Sequence, residues 1–339
     1  MAWCVPKIEV DREIYFPGEE VTGKASLSIS KDSTARSVEL SFLGRSLTAW
    51  RVDGDRRNRP VPDKIQKKGE VKHVEIKNIV WTPEDDQNIL PAGEYEWKFS
   101  FELPKECPAS FEGNFGYIRY FVRCHVDVPR FFDSRTEMPI TVSPTIDLNS
   151  IPGARDPIRV EIEKISQKCA CLPFFGENGN ISYVLSSPRL GYVSGDYFNV
   201  DGMIENHSTK SLNDIEATFK RRVIYMSVLH DSIFKPNKVI PQTPDPTNSR
   251  KEEWIIEQRT EVCEIAPGKT KNFSYSFCIP PVVSTIRSSS IISVEYLVTI
   301  NGDWQFCDRS TPPTLNIIVG NVPLLEDGKT TREFLFWGN

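Results

Sequence analysis

The stretch Glu94-Tyr95-Glu96-Trp97-Lys98-Phe99-Ser100-Phe101-Glu102-Leu103 decides the fold. Tyr95, Trp97, Phe99, Phe101 and Leu103 share one parity, while Glu94, Glu96, Lys98, Ser100 and Glu102 share the other. Successive side chains of a strand point to opposite faces, so this spacing predicts an amphipathic strand with one face on a core. The same alternation runs through Val38-Glu39-Leu40-Ser41-Phe42, through Phe198-Asn199-Val200-Asp201-Gly202-Met203-Ile204 and through Phe273-Ser274-Tyr275-Ser276-Phe277-Cys278-Ile279. Turn chemistry separates the runs: Pro17-Gly18, Pro91-Ala92-Gly93, Ser194-Gly195 and Pro267-Gly268. Helical periodicity is nearly absent. The window Arg250 to Ile265 reads as a long strand, because Trp254, Ile256 and Val262 share a parity. Sheets with one wet face give such alternation, whereas buried parallel strands read as continuous apolar runs. The expected class is therefore all-β, built of antiparallel sandwiches.

The pattern repeats. Gly18 of Tyr15-Phe16-Pro17-Gly18-Glu19 recurs as Gly195 of Tyr192-Val193-Ser194-Gly195-Asp196, 177 residues on. Gly93 recurs as Gly268 at 175, while Pro104 recurs as Pro280 and Tyr120 as Tyr296, both at 176. Four anchors at one offset imply two homologous sandwiches in tandem. Residues 1–145 are expected to form the first and 158–320 the second. A Pro/Gly/Asp/Asn-rich linker over 146–157 joins them, and 321–339 is a short tail.

Composition narrows the function. The 339 residues include 41 basic and 46 acidic side chains, a net charge of -5, which opposes a nucleic-acid partner that needs a basic face. No run of 18 apolar residues is present to span a bilayer. The start, Met1-Ala2-Trp3-Cys4-Val5-Pro6-Lys7, lacks a secretory apolar run, so the eight cysteines are expected to be reduced thiols and the sequons at Asn180, Asn206 and Asn272 to be coincidental. The four histidines show no metal-ligand spacing, and no nucleophile elbow, dinucleotide or phosphate loop occurs. The expectation is a protein with no catalytic residues, no metal and no cofactor.

Several residues stand out as interaction candidates. The segment Arg51 to Lys72 carries Arg51, Arg56, Arg57, Arg59, Lys64, Lys67, Lys68 and Lys72 against four acids, a net +4. With Pro60 and Pro62, the stretch Asp53 to Lys68 reads as an exposed loop. Its arginine forks suit phosphorylated tails or anionic phospholipid headgroups, and its bland reading is a solvated hairpin loop. Lys220-Arg221-Arg222 reads as a wet strand edge. Cys169 and Cys171 are the one close thiol pair, read as ordinary thiols or as a lipidation site; a zinc site needs a second pair. Arg119 is a candidate buried charge, its bland reading being an arginine on the wet face. Phe334, Leu335, Phe336 and Trp337 are apolar enough to dock on a sheet edge or to serve as a partner motif.

The ordered set of motifs resembles an arrestin of the arrestin-domain-containing (alpha-arrestin) branch. The residues that carry this are Tyr15-Phe16-Pro17-Gly18-Glu19-Glu20-Val21-Thr22-Gly23, Leu90-Pro91-Ala92-Gly93, Phe99 to Pro104 and Gly116-Tyr117-Ile118-Arg119-Tyr120, followed by Gly191 to Asp196, Ile204 to Ser208 and Ser290 to Tyr296. The resemblance covers roughly residues 6 to 320. It implies two β-sandwich domains and a non-enzymatic cytoplasmic adaptor, held peripherally at the plasma membrane or endosomes, that binds cytoplasmic regions of receptors or transporters. It also places a receptor-facing loop near the basic segment and an inter-domain charged cluster near Arg119. Many alpha-arrestins recruit ubiquitin ligases through Pro-Pro-x-Tyr. Here Pro280-Pro281-Val282-Val283 and Pro312-Pro313-Thr314-Leu315 lack the tyrosine, so a ligase is expected only indirectly. The alternatives are a retromer-type arrestin-like cargo-sorting subunit and an extracellular tandem β-sandwich adhesion protein.

Overall fold

The computed structural model describes residues 5–53, 64–84, 88–129, 133–165, 179–228, 244–303 and 312–325. Among them strands dominate. The first half holds β1 (Lys7–Val10), β2 (Ile14–Tyr15), β3 (Glu20–Ile29), β4 (Ser33–Thr34), β5 (Ser37–Asp53) and β6 (Lys64–Trp81). It continues with β7 (Ile89–Leu90), β8 (Gly93–Glu102), β9 (Phe111–Gly113), β10 (Gly116–Asp127) and β11 (Ser134–Val142). A single 3-10 turn, Leu148–Ser150, follows. The second half holds β12 (Ile158–Ile165), β13 (Asn180–Ser187), β14 (Gly191–Val193), β15 (Tyr197–Asn206) and β16 (Leu212–Val228). It ends with β17 (Pro244–Ile265), β18 (Thr270–Cys278), β19 (Ile292–Asp303) and β20 (Thr314–Gly320).

The strand orders repeat. In the first half a sheet β1-β3-β8 faces a sheet β2-β11-β10-β5-β6, with β9 added on β10. In the second half the sheets are β12-β13-β15-β18 and β14-β20-β19-β16-β17. The second set matches the orders β1-β3-β8 and β2-β11-β10-β5-β6, without a strand like β9 among the described residues and with one addition: β13 stands where β1 stands and carries β12 on its outer side. The described residues group into two compact units, one within Met1–Pro144, Ile224–Arg250 and Ile286–Ser293, the other within Thr145–Val223, Lys251–Thr285 and Val294–Asn339. The fold is the all-β tandem sandwich that the alternation predicts.

The duplication extends to individual contacts. Tyr15 pairs with Val142 in a parallel bridge, and Tyr192 pairs with Val319 likewise. The guanidinium of Arg12 lies 4.7 Å from the Tyr15 ring centre and that of Arg189 lies 4.6 Å from Tyr192. Arg12 pairs with Glu19 at 3.2 Å and Arg189 with Asp196 at 2.7 Å. Each acid also accepts a backbone N–H, from Phe16 and from Val193, and so closes the turn. Those turns need φ values of +87° at Gly18 and +93° at Gly195, which glycine adopts without a Cβ penalty. Inside, Phe42 stacks on Phe101 at 5.9 Å and Phe219 lies 6.0 Å from Phe277. The buried Tyr120 hydroxyl donates to the Pro108 carbonyl at 2.8 Å, as the Tyr296 hydroxyl does to Val283 at 2.5 Å.

Three local readings change. The expected loop from Asp53 to Lys68 is shorter, because β5 runs to Asp53 and β6 starts at Lys64; Trp50↔Lys67 and Arg51↔Gln66 are ladder pairs. Lys220-Arg221-Arg222 is not on an edge strand: β16 lies between β19 and β17. Arg222 bonds Glu253 at 2.8 Å, and the Arg221 guanidinium stacks 4.5 Å from the Trp254 ring. Burial pushes the Glu253 carboxyl up, but the Arg222 hydrogen bond and the charges of Arg222 and Lys220 bring it below its ordinary range. In β17 the long strand is present, yet Val262 is 88% exposed. Trp254 and Ile256 are half-buried, then the covered parity switches to Glu261, Cys263 and Ile265.

A bulge in β6 places one residue of consequence. Gly44 pairs with Val74 and Arg45 with Lys72, so His73 is the extra residue. Its Nε2 lies 2.6 Å from the buried Ser46 hydroxyl, and its ring is 6.3 Å from Tyr120. Burial pushes the His73 pKa down from 6.5 to about 4.

Two predictions follow from these contacts. Tyr120→Phe leaves the buried Pro108 carbonyl without its donor and should lower the unfolding free energy by about 1–3 kcal/mol, read by urea denaturation; an unchanged midpoint would show that the hydroxyl does not matter. His73 is neutral in the fold, whereas the unfolded chain protonates it below about pH 6.5. The unfolded state therefore binds more protons between pH 6.5 and 4, and stability falls as pH drops through that window. Thermal melts of His73→Gln should lose part of this slope.

Candidate functional site

The three-stranded sheet has two edge strands, β8 and β1, and β1 is the one beside the groove described below. It pairs with β3 from Lys7↔Ser26 to Val10↔Gly23, and the Asp11 N–H donates to the Thr22 carbonyl at 3.0 Å. In an antiparallel ladder, residues alternate between those bonded to the partner and those whose backbone groups point away. Lys7, Glu9 and Asp11 therefore bond toward β3, and the N–H and C=O groups of Ile8 and Val10 point outward. The strand is short and starts at Pro6, whose carbonyl accepts from the Thr136 hydroxyl of β11 at 2.6 Å.

The facing strand lacks a donor. The Thr141 N–H of β11 points outward, donating to the Glu13 carbonyl at 2.9 Å. Alternation puts Pro139 on the same outer side, and proline has no N–H to offer. Of the two edges that meet here, β1 offers a donor and an acceptor at both Ile8 and Val10, whereas β11 lacks the donor at Pro139.

Between them lies a groove of about 720 Å³. Its apolar lining comes from Ile8, Val10, Phe111, Ile118, Met138 and Ile140, and its charged lining from Glu9, Glu13, Glu112 and Arg119. Arg119 is exposed, with 53% of its side chain accessible, which overturns the expectation of a buried charge. The reason is parity: Ile118, Tyr120 and Val122 of β10 face the core, so Arg119 faces out. Its partner is Glu112 of β9, held opposite Tyr117 by the β9–β10 ladder. Nε and Nη2 donate to the two carboxylate oxygens at 2.6 and 2.8 Å, and the guanidinium lies 3.9 Å from the Tyr117 ring centre. The hydrogen bonds that Arg119 donates to Glu112 hold it still more firmly protonated than usual.

The other candidates are placed as follows. Arg51 is exposed on β5, and Lys67 and Lys68 lie on β6, with Lys68 3.6 Å from Glu70. Lys64 opens β6. Arg56, Arg57 and Arg59, the pair Cys169 and Cys171, and Phe334, Leu335, Phe336 and Trp337 lie outside the described residues. Cys107, Cys263 and Cys278 are free thiols. Among the described residues no group of three His, Cys, Asp or Glu side chains is arranged to hold a metal, and no helix is long and apolar enough to cross a membrane. Sequence reasoning missed the β1 edge, Glu112 and Pro139. A proline inside Arg135-Thr136-Glu137-Met138-Pro139-Ile140 was the available signal, because it marks an edge strand.

Comparison with known proteins agrees with this architecture. Residues 4–149 match the N-terminal domain of arrestin (or S-antigen), and residues 177–324 match its C-terminal domain. The chain is 28% identical over 333 residues to arrestin domain-containing protein 1 of Mus musculus, covering 93% of this chain and 63% of the relative. It is 26% identical over 292 residues to arrestin domain-containing protein 4 of Homo sapiens, covering 84% and 63%. For arrestin domain-containing protein 17 of Caenorhabditis elegans the figures are 22% over 317 residues, 92% and 69%. The chain thus spans less than two thirds of the length of the first two. With both domain models matched in order and the duplicated strand topology in place, this chain belongs to the arrestin-domain-containing family.

Proposed function

We propose that this chain is a non-enzymatic adaptor in membrane-protein trafficking, working at the cytoplasmic side of the plasma membrane or endosomes. Its cargo is an extended cytoplasmic segment of a receptor or transporter, laid along the outer edge of β1. One observation carries the reading: β1 offers the backbone groups of Ile8 and Val10 beside a groove with an apolar floor, opposite a strand that lacks a donor at Pro139. Added strands take affinity from main-chain hydrogen bonds and specificity from the pockets beneath alternate side chains. Membership of the arrestin-domain-containing family supports the adaptor role. The basic residues around Arg51, Lys67 and Lys68 serve in this reading as a weak accessory contact to anionic lipid, and linkage to sorting machinery gains strength from joined weak sites.

Val10→Pro tests it. The Val10 N–H points away from β3, so proline there removes a donor for cargo and no bond of the sheet. Proximity labelling in cells with the full chain should enrich membrane receptors, transporters and endosomal coat proteins, and Val10→Pro should abolish the cargo part at unchanged melting temperature. Absence of membrane cargo from the wild-type set, or its persistence with Val10→Pro, refutes the reading.

A further inference from the structure

The two halves of the chain differ at one edge. In the second half, β13 occupies the place of β1, and its outer side is covered by β12 over eight antiparallel pairs, Ile158↔Ser187 to Ile165↔Asn180. β12 shows what such an edge accepts. Ile158, Val160 and Ile162 are half-buried, and Arg159, Glu161 and Glu163 between them are exposed. In the first half that place next to β1 has no strand among the described residues.

Charge sets the class of the visitor. The groove lining contains three carboxylates, Glu9, Glu13 and Glu112, against one cation, Arg119. Arg119 is already engaged by both oxygens of Glu112 and by the Tyr117 ring. Glu9 is shared with Lys24 of β3 at 3.4 Å. Glu13 is exposed and, among the described residues, has no ion-pair partner. At the two ends of β1, Lys7 and Asp11 offset one another. A phosphate arriving here meets surplus negative charge and a guanidinium whose fork is filled.

Resting on the reading of β1 as the cargo edge, we infer that the first sandwich takes an unphosphorylated strand in the manner of β12: antiparallel, apolar at alternate positions, with lysine or arginine between. Its apolar residues enter the groove over Ile118 and Ile140, and its cations meet Glu13 and Glu9. Phosphorylation of such a segment weakens docking through like-charge repulsion.

The test uses the full chain and fluorescein-labelled peptides of about ten residues, one strand's length, with Val at alternate positions and Lys, Gln, Glu or phosphoserine between. Fluorescence anisotropy should rank Lys first, about tenfold tighter than Gln, with Glu and phosphoserine weakest. Raising salt from about 50 to about 300 mM should shrink the Lys advantage, since these charges are exposed. Glu13→Gln should reduce that advantage, and Glu13→Lys should shift preference toward Glu, with circular dichroism unchanged in both. A phosphoserine or Glu peptide that binds as tightly as Lys while Val10→Pro still abolishes binding would overturn the charge inference alone. If no peptide binds, or Val10→Pro changes nothing, the β1 edge is not the docking strand and both readings fall.

Discussion

A strand at the edge of a sheet carries backbone donors and acceptors that need a partner, and the arrangement of this molecule follows from how each edge meets that need. β6 bears Lys67, Lys68, Lys72 and Lys77, and β17 bears Lys251, Glu253 and Arg259, so both long edges are charged against pairing with another chain. β11 presents Pro139 where a donor would stand. β13 is covered by β12. β1 is short, with the N–H and C=O groups of Ile8 and Val10 turned outward, and it lies beside a groove.

The two copies agree where packing decides and differ where solvent decides. Tyr15 and Tyr192, Tyr120 and Tyr296, and the Phe42–Phe101 and Phe219–Phe277 contacts repeat because an interior at near-crystal density tolerates little change in volume. The turn acids Glu19 and Asp196 repeat because a backbone N–H and an arginine both depend on them. Edges answer to water instead, and a strand such as β12 can be added to one copy, with no counterpart among the described residues of the other, without disturbing either core. In the proposed reading, that separation lets one half be self-contained while the other accepts a visitor.

The division also explains what could be read before the structure. Alternation over Glu94 to Leu103 is a local property, and β8 realises it residue by residue, with Phe99 and Phe101 buried and Glu94, Glu96 and Lys98 exposed. The anchors Gly18 and Gly195 mark turns that demand positive φ, so they were legible too. Pairing between distant strands was not. Nothing near Arg119 in sequence names Glu112 as its partner, because the ladder between β9 and β10 brings them together. Nothing in Lys220-Arg221-Arg222 reveals that β16 is central, with Glu253 and Trp254 of the next strand covering the charges. Val262 misled because the covered parity changes within β17, and a period-two reading assumes that it does not. The end of the basic loop was misjudged for a related reason: Lys64 to Lys68 look like loop in composition, but β5 supplies them a ladder.

The energetics of the groove argue for discrimination rather than grip. Exposed ion pairs contribute little, roughly 0–1 kcal/mol each, so Glu9 and Glu13 cannot hold a segment on their own. Affinity has to come from the backbone groups of Ile8 and Val10 and from apolar side chains entering beside Ile118 and Ile140. These terms are nearly blind to sequence beyond the alternation itself. The carboxylates then act by exclusion, because a like charge brought against them costs more than a favourable one gains. In the proposed reading, such a site binds many extended segments weakly and rejects the negatively charged ones. Weak, exchangeable binding is what an adaptor requires if it is to release one cargo and take another, with residence at the membrane set by the number of linked contacts rather than by the strength of any single one.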